Sequence, residues 1–284
     1  MSQLNDHPTS GWLSAGSVSA LVVFFLVPLA IMVGVSFAHR VPGAFFEPGF
    51  ELNSYAKFMT PFFGGILLTS LAIAAAVAVI CVCLAFPFTV WLAQMGRTAQ
   101  TRILVLLLSI LSLSEVIIGF SLSTILSKTA GVGNLLAWVG ILSDPRAFTP
   151  GLFALITGLC YLGFPYAVLV LYPPVSRLDP ELAEAARTMG ASQRQAFFGV
   201  LLPVLRAPVI GALMLVFVFT LGAYLLPQIL GRPQHWTLSV HITDQALFQS
   251  NLPFAAAMAI LLLIVTLVLV GVTLLVGTDR KVAP

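Results

Sequence analysis

Charge is scarce in this sequence. Its 284 residues carry thirteen Lys and Arg and ten Asp and Glu, 8% of the chain. An ordinary soluble domain carries roughly 25%, so a soluble globular fold is excluded. Charged side chains are missing altogether from 58–96, 147–176, 207–231 and 245–278. Each run exceeds the ~20 helical residues that cross about 30 Å of hydrocarbon. Cysteine is nearly absent too. Cys81, Cys83 and Cys160 all lie in apolar runs, and Cys81 and Cys83, two apart, point to different faces of a helix. Neither a disulfide framework nor a metal site is expected. The net charge of +3 comes without any block of like charges, which leaves no footprint for nucleic acid. What is plentiful is apolar surface, 59% of the residues. It comes in continuous runs rather than the alternation of a membrane barrel, so helices are predicted. The first eleven residues hold no Lys or Arg, and the apolar run after them is too long for a cleaved signal peptide; a retained first span is expected.

The runs predict an all-α integral membrane protein with six transmembrane helices, at about 12–37, 63–95, 103–126, 150–175, 207–229 and 254–277. Six spans put both termini on one side. Arg97, Arg102, Arg177, Arg187, Arg194, Arg206, Arg280 and Lys281 fall on the side of the termini, and Arg40, Lys57, Lys128, Arg146 and Arg232 on the other. Eight against five favours cytoplasmic termini. The expected organisation is a tail, first span and outward loop over 1–62, a core over 63–277 and a cytoplasmic tail over 278–284. The outward connections are rich in Pro, Gly and aromatics, as suits loops and interfacial helices. Among their residues, His235 and His241 are expected at the surface or at a partner contact rather than on a metal, and Trp236 in an aromatic belt. Pro87, Pro165, Pro173, Pro174 and Pro227 are expected to interrupt spans.

One connection is different. Residues 177–206 carry seven charges and begin with Asp179-Pro180-Glu181, an N-cap, a first-position proline and a first-turn acid that together start a helix. Gly190 can end that helix in a left-handed conformation, and Ser192 can cap the next. Within it stand Glu184-Ala185-Ala186, then after three intervening residues Gly190, and after nine more Val200-Leu201-Leu202-Pro203. Small Ala183, Ala185 and Ala186, flanked by Glu184 and Arg187, make a surface that another protein can approach closely while the charges select register.

This spacing resembles the EAA loop of permeases of binding-protein-dependent ABC importers, departing from it only in Val200 for isoleucine. The resemblance implies a type I ABC importer permease (MetI-like) fold with a cytoplasmic coupling helix. It also implies that Glu184, Ala185, Ala186, Arg187, Gly190, Leu202 and Pro203 dock on and respond to an ATPase subunit. No GxxxxGK[ST] phosphate loop occurs in the chain, so it is not expected to hydrolyse ATP; ATP and Mg would belong to the partner. The implied partners are an ATPase dimer inside, a second permease, expected as a heterodimer, and an extracytoplasmic solute-binding protein. The implied location is the bacterial inner membrane. Further on, Gly222-Ala223-Tyr224-Leu225-Leu226-Pro227 and Asn251-Leu252-Pro253-Phe254-Ala255 resemble the spermidine/putrescine-type permease subfamily. That resemblance implies a polyamine-like substrate or another small amine or opine-type compound, although Ala223 stands where members often carry an acid.

Glu115 is the one ionisable residue inside a predicted span. A carboxylate there is costly, by roughly 2.5–3.5 kcal/mol on insertion scales, and should face a bundle interior or a water-filled path. Ser109, Ser112, Glu115, Gly119 and Ser123 recur at three- and four-residue steps and would form one polar or small stripe on a helix. The candidate path residues are therefore Ser112, Glu115, Gly119, Gly222 and Tyr224; a packing role for the stripe is the alternative. A secondary transporter that titrates Glu115 is the competing function, and it leaves the spaced loop unexplained. The charge count makes a topological prediction. Cysteines introduced at 99 and 188 should react with an impermeant thiol reagent only from the cytoplasm, and one at 235 only from outside. Labelling of the first two from outside in sealed cells contradicts the orientation.

Overall fold

The computed structural model describes residues 11–41, 45–129, 131–140, 143–144, 146–178, 188, 190 and 192–278. Helices account for nearly all of its regular structure. The chain forms two compact units, one made of residues up to Met59 with Ile242–Leu261, the other of Thr60–His241 with the residues from Leu262.

In the first unit, α1 (Gly11–Ser36) leads into a folded connection and α2 (Asn53–Phe58). Phe24, Phe25 and Ile31 are exposed along α1, as an apolar helix in lipid requires. The connection is ordered by specific contacts rather than left irregular. The Ser36 hydroxyl donates to the Val33 carbonyl (2.6 Å) and pairs with the Tyr55 hydroxyl (2.7 Å). Phe37 stacks on Phe50 with ring centroids 5.1 Å apart, and His39 pairs with Glu51 at 2.8 Å. Arg40 donates to the Gln249 carbonyl (3.0 Å).

The second unit is built on three helices: α3 (Pro61–Ala93), α7 (Leu152–Ser176) and α10 (Arg206–Gly222). The face of α3 that carries Ala74, Val77, Ala78, Cys81 and Ala85 is buried, at the three- and four-residue spacing of one helix side. Small residues there allow close packing, the main source of helix attraction where lipid tails are as apolar as leucine. Gly163 of α7 sits at the junction: a Cβ on it would lie 2.9 Å from the Cys81 Sγ and 3.1 Å from a Val216 methyl. Val79 and Leu84 of the same helix are exposed. Around this core lie α4 (Arg97–Leu111), α5 (Glu115–Ile125), α6 (Val132–Trp138), α8 (Gln193–Ala196), α9 (Leu202–Val204), α11 (Leu225–Leu230) and α12 (Leu238–Thr243). Helix α13 (Leu252–Thr278) closes the chain.

Among the described residues, three helices are long and apolar enough to cross a membrane alone, and five when each bent pair counts as one span. The expected first span is α1, whose apolar described part is Val22–Ser36. Two of the expected spans are not single helices. The one at 103–126 breaks between α4 and α5 with a 94° bend, and the one at 207–229 stops at Gly222 and restarts at Leu225. Four of the prolines expected to interrupt spans do not: Pro87, Pro165, Pro173 and Pro174 lie inside uninterrupted helices, whereas Pro227 lies in the first turn of α11, just after the second break. Gly163→Val should overpack the α3–α7–α10 junction at a cost of about 1–3 kcal/mol, read as a lower unfolding temperature of the detergent-solubilised protein. An unchanged melting curve would show that the junction has slack.

Candidate functional site

The charged loop comes first. Glu184, Ala185, Ala186 and Arg187 lie outside the described residues. Gly190 has φ +90°, the left-handed conformation expected of a residue that ends a helix. Two residues on, Ser192 and Gln195 form a reciprocal cap. The Gln195 amide donates to the Ser192 hydroxyl (3.3 Å), and the Ser192 amide donates to the Gln195 side-chain carbonyl (2.8 Å); this is the capping-box arrangement. Helix α8 then widens into a π-helical turn over Phe197–Leu201, with the Leu202 amide bonded to the Phe197 carbonyl. Proline at 203 has no N–H to offer the Gly199 carbonyl and its ring crowds that position, which favours a widened turn just before it. Leu202 and Pro203 begin α9, and a 71° bend separates Phe197–Val204 from α10. Phe197 rests on Phe86 of α3, with ring centroids 4.9 Å apart, so the second half of the loop is seated on the core. Close by in sequence, the Gln100 side chain donates to the Ala93 and Met95 carbonyls (3.0 and 2.8 Å) and accepts from the Tyr172 hydroxyl (2.7 Å). It ties the end of α3 to α4 and α7.

The second feature is a cavity of about 420 Å³ lined by Glu115, Val218, Phe219, Gly222, Ala223, Tyr224 and Leu225. Two interrupted helices meet in it. Glu115 is the first residue of α5, where unpaired amides and the helix dipole favour a carboxylate. Gly222 ends α10, and Tyr224 precedes α11. Phe219, also in the wall, packs against the Tyr166 ring at 4.9 Å. The structure thus brings Glu115, Gly222 and Tyr224 together from positions more than a hundred residues apart.

The single stripe expected on one helix does not exist. Ser109 and Ser112 belong to the end of α4, and their hydroxyls bond back to the Val105 and Leu108 carbonyls (2.8 and 3.0 Å). Ser112 is exposed and lies outside the cavity lining. Gly119 is buried on α5, where a Cβ would approach the end of Ile229 on α11 at 2.9 Å; it lets these two short helices pack. The break falls at Ser112-Leu113-Ser114, where Ser114 takes an extended N-cap conformation. Val218, Phe219 and Leu225 are cavity residues that polar patterning did not single out. Their only sequence signal is proximity to Gly222 and Tyr224. His235 ends a short 3₁₀ turn, and His241 lies in α12 with its ring beside Trp236 and Phe62. Among the described residues no group of three or more His, Cys, Asp or Glu could hold a metal ion.

The family model described as "Binding-protein-dependent transport system inner membrane component" matches residues 10–281. The spermidine/putrescine transport system permease protein PotB of Escherichia coli (strain K12) is 31% identical over 250 residues, covering 87% of this chain and 90% of that protein. PotB of Haemophilus influenzae is 27% identical over 254 residues, 89% of each chain. Among solved structures, a bacterial ABC transporter involved in import of the acidic polysaccharide alginate aligns with a TM-score of 0.72. It is 19% identical and covers 95% of this chain and 96% of that one. The bacterial alginate transporter in complex with an alginate pentasaccharide-bound periplasmic protein aligns with a TM-score of 0.73 at 18% identity, over 92% of each chain. These two likenesses concern the fold.

Proposed function

We propose a substrate route and a drive for this chain, which belongs to the family of binding-protein-dependent transport system inner membrane components and is a multi-pass permease subunit of an ABC importer. The family and the charged loop together leave the ion-coupled secondary transporter without support. In our reading the cavity at Glu115 is where substrate passes, and the substrate is a small polyamine-like cation. One observation carries this reading: the single carboxylate of the cavity lies at the meeting point of two helix breaks and shares the lining with the aromatic rings of Phe219 and Tyr224. A carboxylate among apolar and aromatic groups attracts an amine, and the ring faces add cation–π attraction. A cavity of about 420 Å³ is within the range of small-molecule sites. The relatives' printed substrates, spermidine and putrescine, are of that chemistry.

Energy enters from a partner. The chain carries no phosphate loop, so ATP and Mg are held by an ATPase dimer on the cytoplasmic side, where the termini also lie. Glu184, Ala185, Ala186, Arg187 and Gly190 are the residues that dock on it. Leu202 and Pro203, through the widened turn and the Phe197–Phe86 contact, pass its displacement to α3 and α10. A second permease subunit completes the path, and a solute-binding protein delivers substrate from outside. The alginate transporter was solved with such a periplasmic protein.

Reconstitution of the assembled complex in proteoliposomes tests both halves. Wild type should take up spermidine only with ATP inside the compartment that holds the ATPase. Glu115→Gln, compared at equal assembled complex, should lower uptake at least about tenfold, the scale of one lost charge-assisted hydrogen bond. Ala186→Trp and Gly190→Pro should insert normally and lose substrate-stimulated ATPase activity, since bulk blocks close docking and proline holds φ near −65°. Undiminished uptake in the Gln variant rejects charge recognition, and normal stimulation in the other two rejects the docking helix.

A further inference from the structure

The cavity lies where a helix stops in the protein interior. Helix α10 ends at Gly222, Ala223 is extended with ψ 131°, and α11 begins at Leu225. The last carbonyls of a helix have no amide partners of their own chain segment. Here Leu221 and Ala223 are buried, which leaves little room for water to replace those partners. The partner that a continuing helix would give the Ala223 carbonyl is the amide of residue 227. That residue is Pro227, which has no N–H. At this break proline withholds the local donor of the Ala223 carbonyl, and the carbonyls at the helix end need donors from elsewhere.

The donors are two hydroxyls at the start of α12. Thr237 Oγ1 donates to the Ala223 carbonyl at 3.4 Å, and Ser239 Oγ donates to the Leu221 carbonyl. The segment between them is itself anchored: the Leu238 amide donates to Ser70 Oγ at 2.8 Å, and Ser70 Oγ donates to the Ile66 carbonyl of α3 at 2.7 Å. Thr237 and Ser70 are each 1% exposed, and Ser239 8%. This is a chain of hydrogen bonds from the rigid α3, through the 237–239 segment, to the two carbonyls that flank the cavity residues Gly222 and Ala223. A buried carbonyl without a donor is costly, more so where no water competes, so the hydroxyls decide where this backbone can rest.

We propose that Thr237 and Ser239 are positioning residues of the substrate cavity, hydroxyl donors that hold the α10–α11 break so that Ala223 and Tyr224 face Glu115. The inference rests on the reading of that cavity as the substrate route. Neither hydroxyl lines the cavity; their effect on substrate passes through the backbone they hold.

The test uses the assembled, reconstituted complex with Cys81, Cys83 and Cys160 replaced and a reporter cysteine at Ala223. Two readouts are taken: the rate of maleimide modification at 223, without substrate, and the split between half-saturating spermidine and maximal uptake rate. Thr237→Val and Ser239→Ala should each change the modification rate and raise half-saturation about fivefold to tenfold, the scale of one buried carbonyl left without a donor. Maximal rate should move less. Thr237→Ser and Ser239→Thr keep a hydroxyl and should restore both readouts, which a loss of bulk packing would not allow. Wild-type modification and half-saturation in both hydroxyl-free variants overturn the proposal. Should Thr237→Val fail to assemble, Ser239→Ala and the two conservative variants decide it. If wild type takes up no spermidine, the substrate reading fails, and the modification rate alone still settles the role of the hydroxyls.

Discussion

Inside a bilayer every backbone amide and carbonyl has to find its partner within the protein, because the hydrocarbon offers none. This constraint shapes the whole chain. Long helices meet it automatically, and α3, α7 and α13 are of that kind. A transporter also needs places where helices stop, since unwound backbone and helix ends are what can bind and release a solute. The two interruptions at the cavity meet the constraint in different ways. At 112–114 the amides of Ser112 and Leu113 bond back to the Leu108, Ser109 and Ile110 carbonyls of the last turn of α4, and the new helix begins with an acid that its free amides favour. At 222–224 the donors come from a distant segment, because proline at 227 denies the local one.

The rigid and the interrupted parts of the molecule use different residues. The α3–α7–α10 junction is made of Ala, Cys and Gly, which bring backbones close and contribute dispersion contacts without polar groups. Glu115 and Tyr224 meet at the cavity, with the buried hydroxyls of Thr237 and Ser239 bonded to the backbone beside it. Pro87, Pro165, Pro173 and Pro174 fall inside unbroken helices, so a proline in this chain is not by itself a hinge. Pro227 matters at the second break because it has no N–H for the carbonyl four residues before it.

Much of this was legible in the residues. Charge-free runs located the membrane segments, and the spaced Glu-Ala-Ala, Gly and Leu-Pro of the charged loop pointed to the family that the chain belongs to. The left-handed Gly190 and the capping Ser192 followed from local chemistry alone. The break within 97–125 was not foreseen, because apolar content runs on through it and a serine-bearing stripe fits one helix as well as two. The Ser114-Glu115 pair, a capping residue before a first-turn acid, was the signal that outweighed the periodicity. Phe219 and Val218 became cavity residues only through the long-range approach of α5 to α11, which no local pattern carries. The same holds for Thr237 and Ser239, ordinary polar residues until their partners 14 and 18 residues away are known.

A structure of the assembled complex, with its ATPase, its second permease subunit and its solute-binding protein, solved in the presence of spermidine, measures the central claim most directly. The account predicts ligand density in the cavity bounded by Glu115 and Tyr224, with an amine within hydrogen-bond distance of the Glu115 carboxylate and a methylene stretch along the aromatic wall. Ligand density elsewhere in the permease, with that cavity empty, would contradict it.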